Sequence, residues 1–226
     1  MTIIRNRRHQ IYKLGFTLVI AAIIGIFGCG IYAHTQDDED NNLGVDYSKF
    51  NTESTKNAAD SFFQTALNSE SEKEKFDNLK NAAAQYYILS NIDKSDSYPC
   101  IQLARIYDLS KNDSYAKAYF YRVLGLDYKN ADANFYFAEF YFTREQYQKA
   151  LTYYQKAISY GKKEDAETMK KIGQIYERFG DIQRASHYYQ KSLELNPADT
   201  DLSKKNNETA AKEYEHSGYY KRRLRN

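Results

Sequence analysis

Side chains able to do chemistry are present in this 226-residue chain, but they are not gathered into a constellation. The four histidines, His9, His34, His187 and His216, stand too far apart to form a metal-ligand pair. His187, next to Tyr188, reads as surface or groove lining. Glu139, Glu145, Glu164, Glu167 and Glu177 sit among many other charged residues, and solvated helix faces account for them. There is no phosphate-cradling Gly-rich loop, no paired-cysteine knuckle and no nucleophile elbow. Of the two cysteines, Cys29 lies in an apolar run, and Cys100 reads as a small buried hydrophobe. The two occupy different compartments of the reading, which argues against a disulfide. The expectation is therefore a non-enzyme without catalytic residues, metal, cofactor or small-molecule substrate.

The organisation lies in a period. Ala82, Ala116, Ala150 and Ala185 recur every 34 or 35 residues, each followed four residues later by Tyr86, Phe120, Tyr154 and Tyr189. Tyr107, Tyr141 and Tyr176 precede the last three pairs at the same interval. A fixed period of this size marks stacked supersecondary units, none of which can bury its apolar face alone. Leu103, Ala104 and Tyr107 share one helical stripe, and Ala116, Phe120 and Val123 share the next. Lys111-Asn112-Asp113 and Arg178-Phe179-Gly180-Asp181 break the stripes. Gly180 suits a left-handed helix end, Asp181 an N-cap, and Pro197 a stop.

These residues closely resemble the tetratricopeptide repeat. Segment 166–199 matches at Met169, Ile172, Gly173, Tyr176, Gly180, Ala185, Tyr189, Ser192 and Pro197. Segment 131–164 matches at Phe137, Ala138, Tyr141, Ala150, Tyr154 and Ala157, and segment 97–130 at Leu103, Ala104, Tyr107, Ala116, Phe120 and Val123. An earlier unit keeps Ala82 and Tyr86, but its first helix, about 56–69, is out of register. The resemblance implies an all-α solenoid of antiparallel helix pairs over 56–200, with 201–226 as a capping helix and basic tail. It also implies a groove for a protein partner, lined by fixed positions of each first helix. Carried over, these are Tyr98, Ile101, Arg105 and Asp108; Asp132, Phe135, Glu139 and Phe142; and Glu167, Lys170, Gln174 and Glu177. Phe135 and Phe142 lie off the packing stripe and are the expected anchors for an apolar partner side chain. Members of the family that bind chaperone tails carry Lys and Asn as a carboxylate clamp. Here Ile101, Arg105, Lys170 and Gln174 stand in a different arrangement.

Leu14 to Ala33 is a run of 20 residues without formal charge, long enough for a transmembrane helix of roughly 30 Å. Arg5, Arg7, Arg8 and Lys13 precede it, and Asp37-Asp38-Glu39-Asp40 follow. That asymmetry puts residues 1–13 in the cytoplasm and the repeats across the membrane, in the periplasm or outside the cell. The first reading is an uncleaved signal anchor. The second is a lipoprotein signal, because Ile26-Phe27-Gly28-Cys29 resembles a lipobox with Cys29 as the lipidated residue. Phe27 and the continuation of the run to Ala33 depart from that pattern. A plain secretory signal and a eukaryotic outer-mitochondrial anchor with cytosolic repeats are further alternatives. Ala21, Gly25 and Cys29 form a small-residue line that could pair two copies as a homodimer.

Residues 34–55, rich in Asp and Asn, read as a flexible linker. Without residues 1–13 the net charge of +2 becomes −2, which argues against bulk nucleic-acid binding. The tail Lys221-Arg222-Arg223-Leu224-Arg225 is basic but reads as a solvated end. The expected function is a membrane-anchored scaffold or adaptor for a protein in a cell-envelope complex. A pilotin-like lipoprotein for pilus or secretin assembly, and a structural subunit of a large membrane complex, are the alternatives.

Overall fold

The computed structural model describes residues 45–223. The stretch 14–33, Cys29 and the Ala21–Gly25–Cys29 line lie outside the described residues. Among the described residues no helix is long and apolar enough to cross a membrane. Those residues form a short 3-10 turn, Tyr47–Lys49, and nine α-helices. They are α1 (Thr52–Asn68), α2 (Glu72–Ile92), α3 (Ser97–Leu109), α4 (Asp113–Leu126), α5 (Ala131–Phe142), α6 (Tyr147–Ser159), α7 (Ala166–Arg178), α8 (Ile182–Leu195) and α9 (Thr200–Arg223). The chain divides into two compact units, one ending at Tyr119 and the other beginning at Phe120.

Local chemistry sets the helix boundaries. Side-chain oxygens of Asn51, Ser71, Asp96, Asn112, Asn130, Asp165, Asp181 and Asp199 each accept a backbone N–H in the first turn of the helix that follows. Each satisfies a donor that the helix start leaves open. Only α6 lacks such a cap, since Gln146 makes no capping hydrogen bond. The first helices α3, α5 and α7 end on a Schellman turn: the N–H groups of Asn112, Gln146 and Asp181 donate to the carbonyls of Tyr107, Tyr141 and Tyr176. The turn requires a left-handed residue. Gly180 supplies it at φ 75°, but Lys111 and Glu145 occupy the equivalent places at φ 59° and 57°.

The linker reading of 34–55 needs correction at its end. Asp46 caps the Tyr47–Lys49 turn, which packs on α2, and α1 begins at Thr52 with Thr55 already buried. The first pair is out of register because α2 runs for 21 residues, against 13 or 14 in the second helices after it. Ala82 and Tyr86 are nonetheless buried, as the period requires.

In each unit the recurring Ala and its aromatic form the core. Ala82, Ala116, Ala150 and Ala185 are fully buried, and Tyr86, Phe120, Tyr154 and Tyr189 almost so. Burying a tyrosine brings a hydroxyl into the interior, and each one finds a carboxylate on a first helix. Tyr86 donates to Asp60 at 2.6 Å, Tyr154 to Glu139, and Tyr189 to Glu177 at 2.7 Å. Asp60 also accepts from Tyr98 at 2.7 Å. A second recurring contact stacks the helix-end tyrosine on the residue before the aromatic. Tyr107 on Tyr119, Tyr141 on Tyr153 and Tyr176 on Tyr188 have centroids 5.6, 5.6 and 5.4 Å apart.

Two positions make opposite predictions about glycine. A Cβ on Gly173 would lie 2.5 Å from Cδ1 and 2.6 Å from Cε1 of the buried Tyr189, whose hydroxyl is held by Glu177. Gly173→Ala should therefore destabilise the protein by about 1–3 kcal/mol despite its better helix propensity. Glu145→Gly should stabilise it by about 0.5–1 kcal/mol through relief of a left-handed non-glycine residue. Denaturant melts of the two variants check both signs. The tyrosines predict a pH dependence. Burial first, then the acceptor carboxylates, hold Tyr86, Tyr154 and Tyr189 well above the ordinary tyrosine value of 10.0. Burial, helped by the neighbouring Tyr115 and Tyr87, pushes Tyr107 up to about 12. Since the folded values are raised, this stability is fully present below pH 10 and drains away as the pH climbs beyond it. An alkaline titration should show the last phenolate absorbance arriving together with loss of helix. Complete tyrosine ionisation with the helices intact would contradict it.

Candidate functional site

The groove positions fall in both units. In the first, Ile101 is 5% exposed and belongs to the core, which corrects its reading as a partner contact. The cause is local: α3 packs on the long α2, and Ile101 lies in the middle of its run of buried residues from Pro99 to Ala104. Arg105 is half-buried, with its guanidinium 4.8 Å over the Phe63 ring and a 2.7 Å hydrogen bond to Gln102 Oε1. Tyr98 is tied to Asp60. This side of the first unit is thus engaged in its own packing.

In the second unit α5 brings Phe135, Glu139 and Phe142 to one face, at i, i+4 and i+7. Both phenylalanines are half-buried. Their rings rest on the edges of the buried Tyr154, with centroids at 6.2 and 6.4 Å, and Phe142 continues to Tyr147 at 5.9 Å. The result is an aromatic row Phe135–Tyr154–Phe142–Tyr147, two helical turns long. Cations from the following connection and first helix stand over it. Lys162 lies 4.6 Å from the Phe135 centroid, Lys171 5.7 Å from Phe142, and Arg178 5.9 Å from Tyr147.

The lysines of this face are already paired. Lys162 pairs with Asp132 at 2.7 Å and Lys171 with Glu139 at 2.6 Å. On α7, Lys170 pairs with Asp199 at 2.7 Å and Glu177 with Lys205 at 2.7 Å. Lys170 itself holds the Asp199 carboxyl below the usual carboxylate range, helped by the Leu202 N–H. Gln174 is half-buried on the same helix. Two of these pairs belong to a repeated triad: Tyr154–Glu139–Lys171 and Tyr189–Glu177–Lys205. In each, a carboxylate takes a tyrosine hydroxyl from its own pair and an ammonium from the next first helix.

Of the residues expected to line a groove, the structure brings Phe135, Glu139 and Phe142 together, and adds Lys170, Gln174 and Glu177 on α7. The reading from sequence missed Lys162, Lys171, Arg178 and Tyr147. A signal for one existed, since Lys171 and Lys205 lie 34 residues apart, close to the repeat period. Among the described residues no group of three His, Cys, Asp or Glu could hold a metal ion.

Comparison with known proteins bears on the fold. The tetratricopeptide repeat family model matches residues 130–198. No curated protein sequence matches the chain. Among solved structures, YrrB, described as "a TPR protein with an unusual peptide-binding site", is 25% identical with a TM-score of 0.50. That match covers 53% of this chain and 61% of YrrB, so the chain spans about three fifths of YrrB. PilF of Pseudomonas aeruginosa is 19% identical with a TM-score of 0.55, covering 73% of this chain and 72% of PilF. MamA of Desulfovibrio magneticus RS-1 is 15% identical with a TM-score of 0.53, covering 74% of this chain and 92% of MamA. The PilF and MamA likenesses are ones of fold. Residues 130–198 match the tetratricopeptide repeat model, and the described helix pairs are similar in fold to YrrB, a protein described as built from that repeat.

Proposed function

We propose that this chain is a membrane-anchored, non-catalytic adaptor whose second unit holds a peptide segment of a protein partner. The observation that carries the reading is the aromatic row of Phe135, Phe142 and Tyr147. Two large apolar rings remain only half-buried on a first helix although the core beside them is filled by Tyr154. Tetratricopeptide repeats generally mediate protein–protein interactions, and the peptide-binding site named for YrrB supports the same use here. The apolar run Leu14–Ala33 and its basic leading flank support a single-pass anchor with the repeats outside the cytoplasm. A partner in a cell-envelope complex follows from that placement. Cys29 favours one second reading, a lipoprotein acting in pilus or secretin assembly, through its lipobox-like context.

Two experiments test this. Crosslinking and co-purification from membranes should give a partner band that falls at least about tenfold with Phe135→Ala/Phe142→Ala, helix content remaining unchanged. An undiminished band would dismiss the row as the binding surface. Mass analysis of the mature protein from membranes should find residues 1–28 still attached and Cys29 unmodified. A diacylglyceryl Cys29 at a new amino terminus would replace the anchor with the lipoprotein.

A further inference from the structure

The second helices of the second unit carry a recurrence that packing does not use. Arg122, Lys156 and Lys191 stand 34 and 35 residues apart, and each is followed four residues later by a large apolar side chain, Leu126, Tyr160 and Leu195. The buried alanine and aromatic of each pair explain the fold, yet Leu126 is 61% exposed and Leu195 50%. Tyr128, in the connection after α4, is 63% exposed and meets Tyr160 edge to face at 6.2 Å. Short turns make neighbouring helices antiparallel, so the ends of α4, α6 and α8 fall on one edge of the unit. On the reading that residues 14–33 anchor the chain, we infer that this edge docks on an anionic phospholipid surface. The apolar residues sit at the acyl boundary, and the bases one turn behind them meet the phosphates.

Register, charge and tethering support a lipid surface. Four residues of helix rise about 6 Å, within the depth of about 5–10 Å to which interfacial apolar side chains enter a bilayer. Tyrosine and lysine suit that boundary because each joins an apolar body to a polar tip. The bases are available. Among the described residues neither Arg122 nor Lys156 has a carboxylate partner, and Lys191 has Glu164 at 3.7 Å. Lys156 and Lys191 rest 5.2 and 5.8 Å over the Tyr153 and Tyr188 rings. Of the carboxylates at this edge, Asp127 accepts the Lys129 N–H, Asp165 caps α7, and Asp199 caps α9 and pairs with Lys170. Glu194 is the exposed exception. A second copy across a two-fold axis would set like bases against each other, and a nucleic acid would leave the leucines without a contact. Residues 34–44 span at most about 40 Å between Ala33 and the described repeats. Such a tether holds the edge near a bilayer at high effective concentration, where a weak contact suffices.

The chain has no tryptophan, so a single one introduced by substitution reports its own surroundings. The full chain is reconstituted in phosphatidylcholine vesicles, with or without phosphatidylglycerol, whose acyl chains are brominated near the headgroup. Leu126→Trp and Leu195→Trp should be blue-shifted and quenched in the phosphatidylglycerol vesicles. Phe179→Trp, in the turn between α7 and α8 at the other edge, is the control and should stay unquenched. Arg122→Gln, Lys156→Gln and Lys191→Gln should each lower the docked-to-free ratio about fivefold, and added salt should weaken the wild-type contact. Absence of quenching at the edge in a chain that resists alkaline carbonate extraction would overturn the inference and leave the anchor standing. Equal quenching at all three positions, or no preference for phosphatidylglycerol, would overturn it as well. An emission shift caused by single-stranded RNA or an acidic peptide, and not by the vesicles, would replace the lipid with a soluble polyanion. Release of the chain by carbonate would overturn the anchor reading, and with it the tether on which the inference rests.

Discussion

A tyrosine hydroxyl carried into the interior must find an acceptor, and much of this molecule follows from that requirement. Tyr86, Tyr154 and Tyr189 fill the space beside the recurring alanine, where a phenylalanine would also fit, as Phe120 does. Choosing tyrosine obliges a first helix to present a carboxylate at the right height, and Asp60, Glu139 and Glu177 do so. A carboxylate drawn toward the core then needs a counter-charge, because leaving it unpaired is costly. Lys171 and Lys205 supply one from the next first helix. The chain of necessity runs from core to surface: what looks like the electrostatics of a binding face is set by how the interior is filled.

This explains how far the sequence could be read. Packing residues announce themselves by type and interval, so Ala150 with Tyr154, and Tyr141 before them, disclose helix pairs and their turns. Gly180 and Asp181 behave as their chemistry suggests, with a left-handed turn and a cap. Lys111 and Glu145 carry no such mark, since only the three-dimensional turn demands a positive φ of them. The face was harder to read. Phe135 and Phe142 stand out as rings off the packing stripe. Ile101 was misplaced because positions carried over from a regular repeat presume a regular neighbour, and α2 is too long to be one. Lys162 and Lys171 reach the row only through contacts between residues 27 and 29 apart in sequence, which no local pattern encodes.

The lysine-covered row also separates two properties often treated together. Its rings provide apolar area, while the two lysines over its phenylalanines are paired from within. Net charge alone would describe this face as featureless.

The interval between repeats slips once, from 34 to 35 residues, and the place of the slip is informative. From Tyr141 to Ala150 and from Tyr176 to Ala185 the count is the same. The added residue therefore falls between a second helix and the next first helix, in the connection 160–165, where Gly161 takes φ 101°. That connection also carries Lys162 to the Phe135 ring. A residue inserted inside a helix rotates the stripe beyond it, whereas this loop absorbs one freely. The repeat thus keeps its architecture in the helices and its individuality in a hinge of six residues, and a lineage of such chains could retune the face by editing that loop alone.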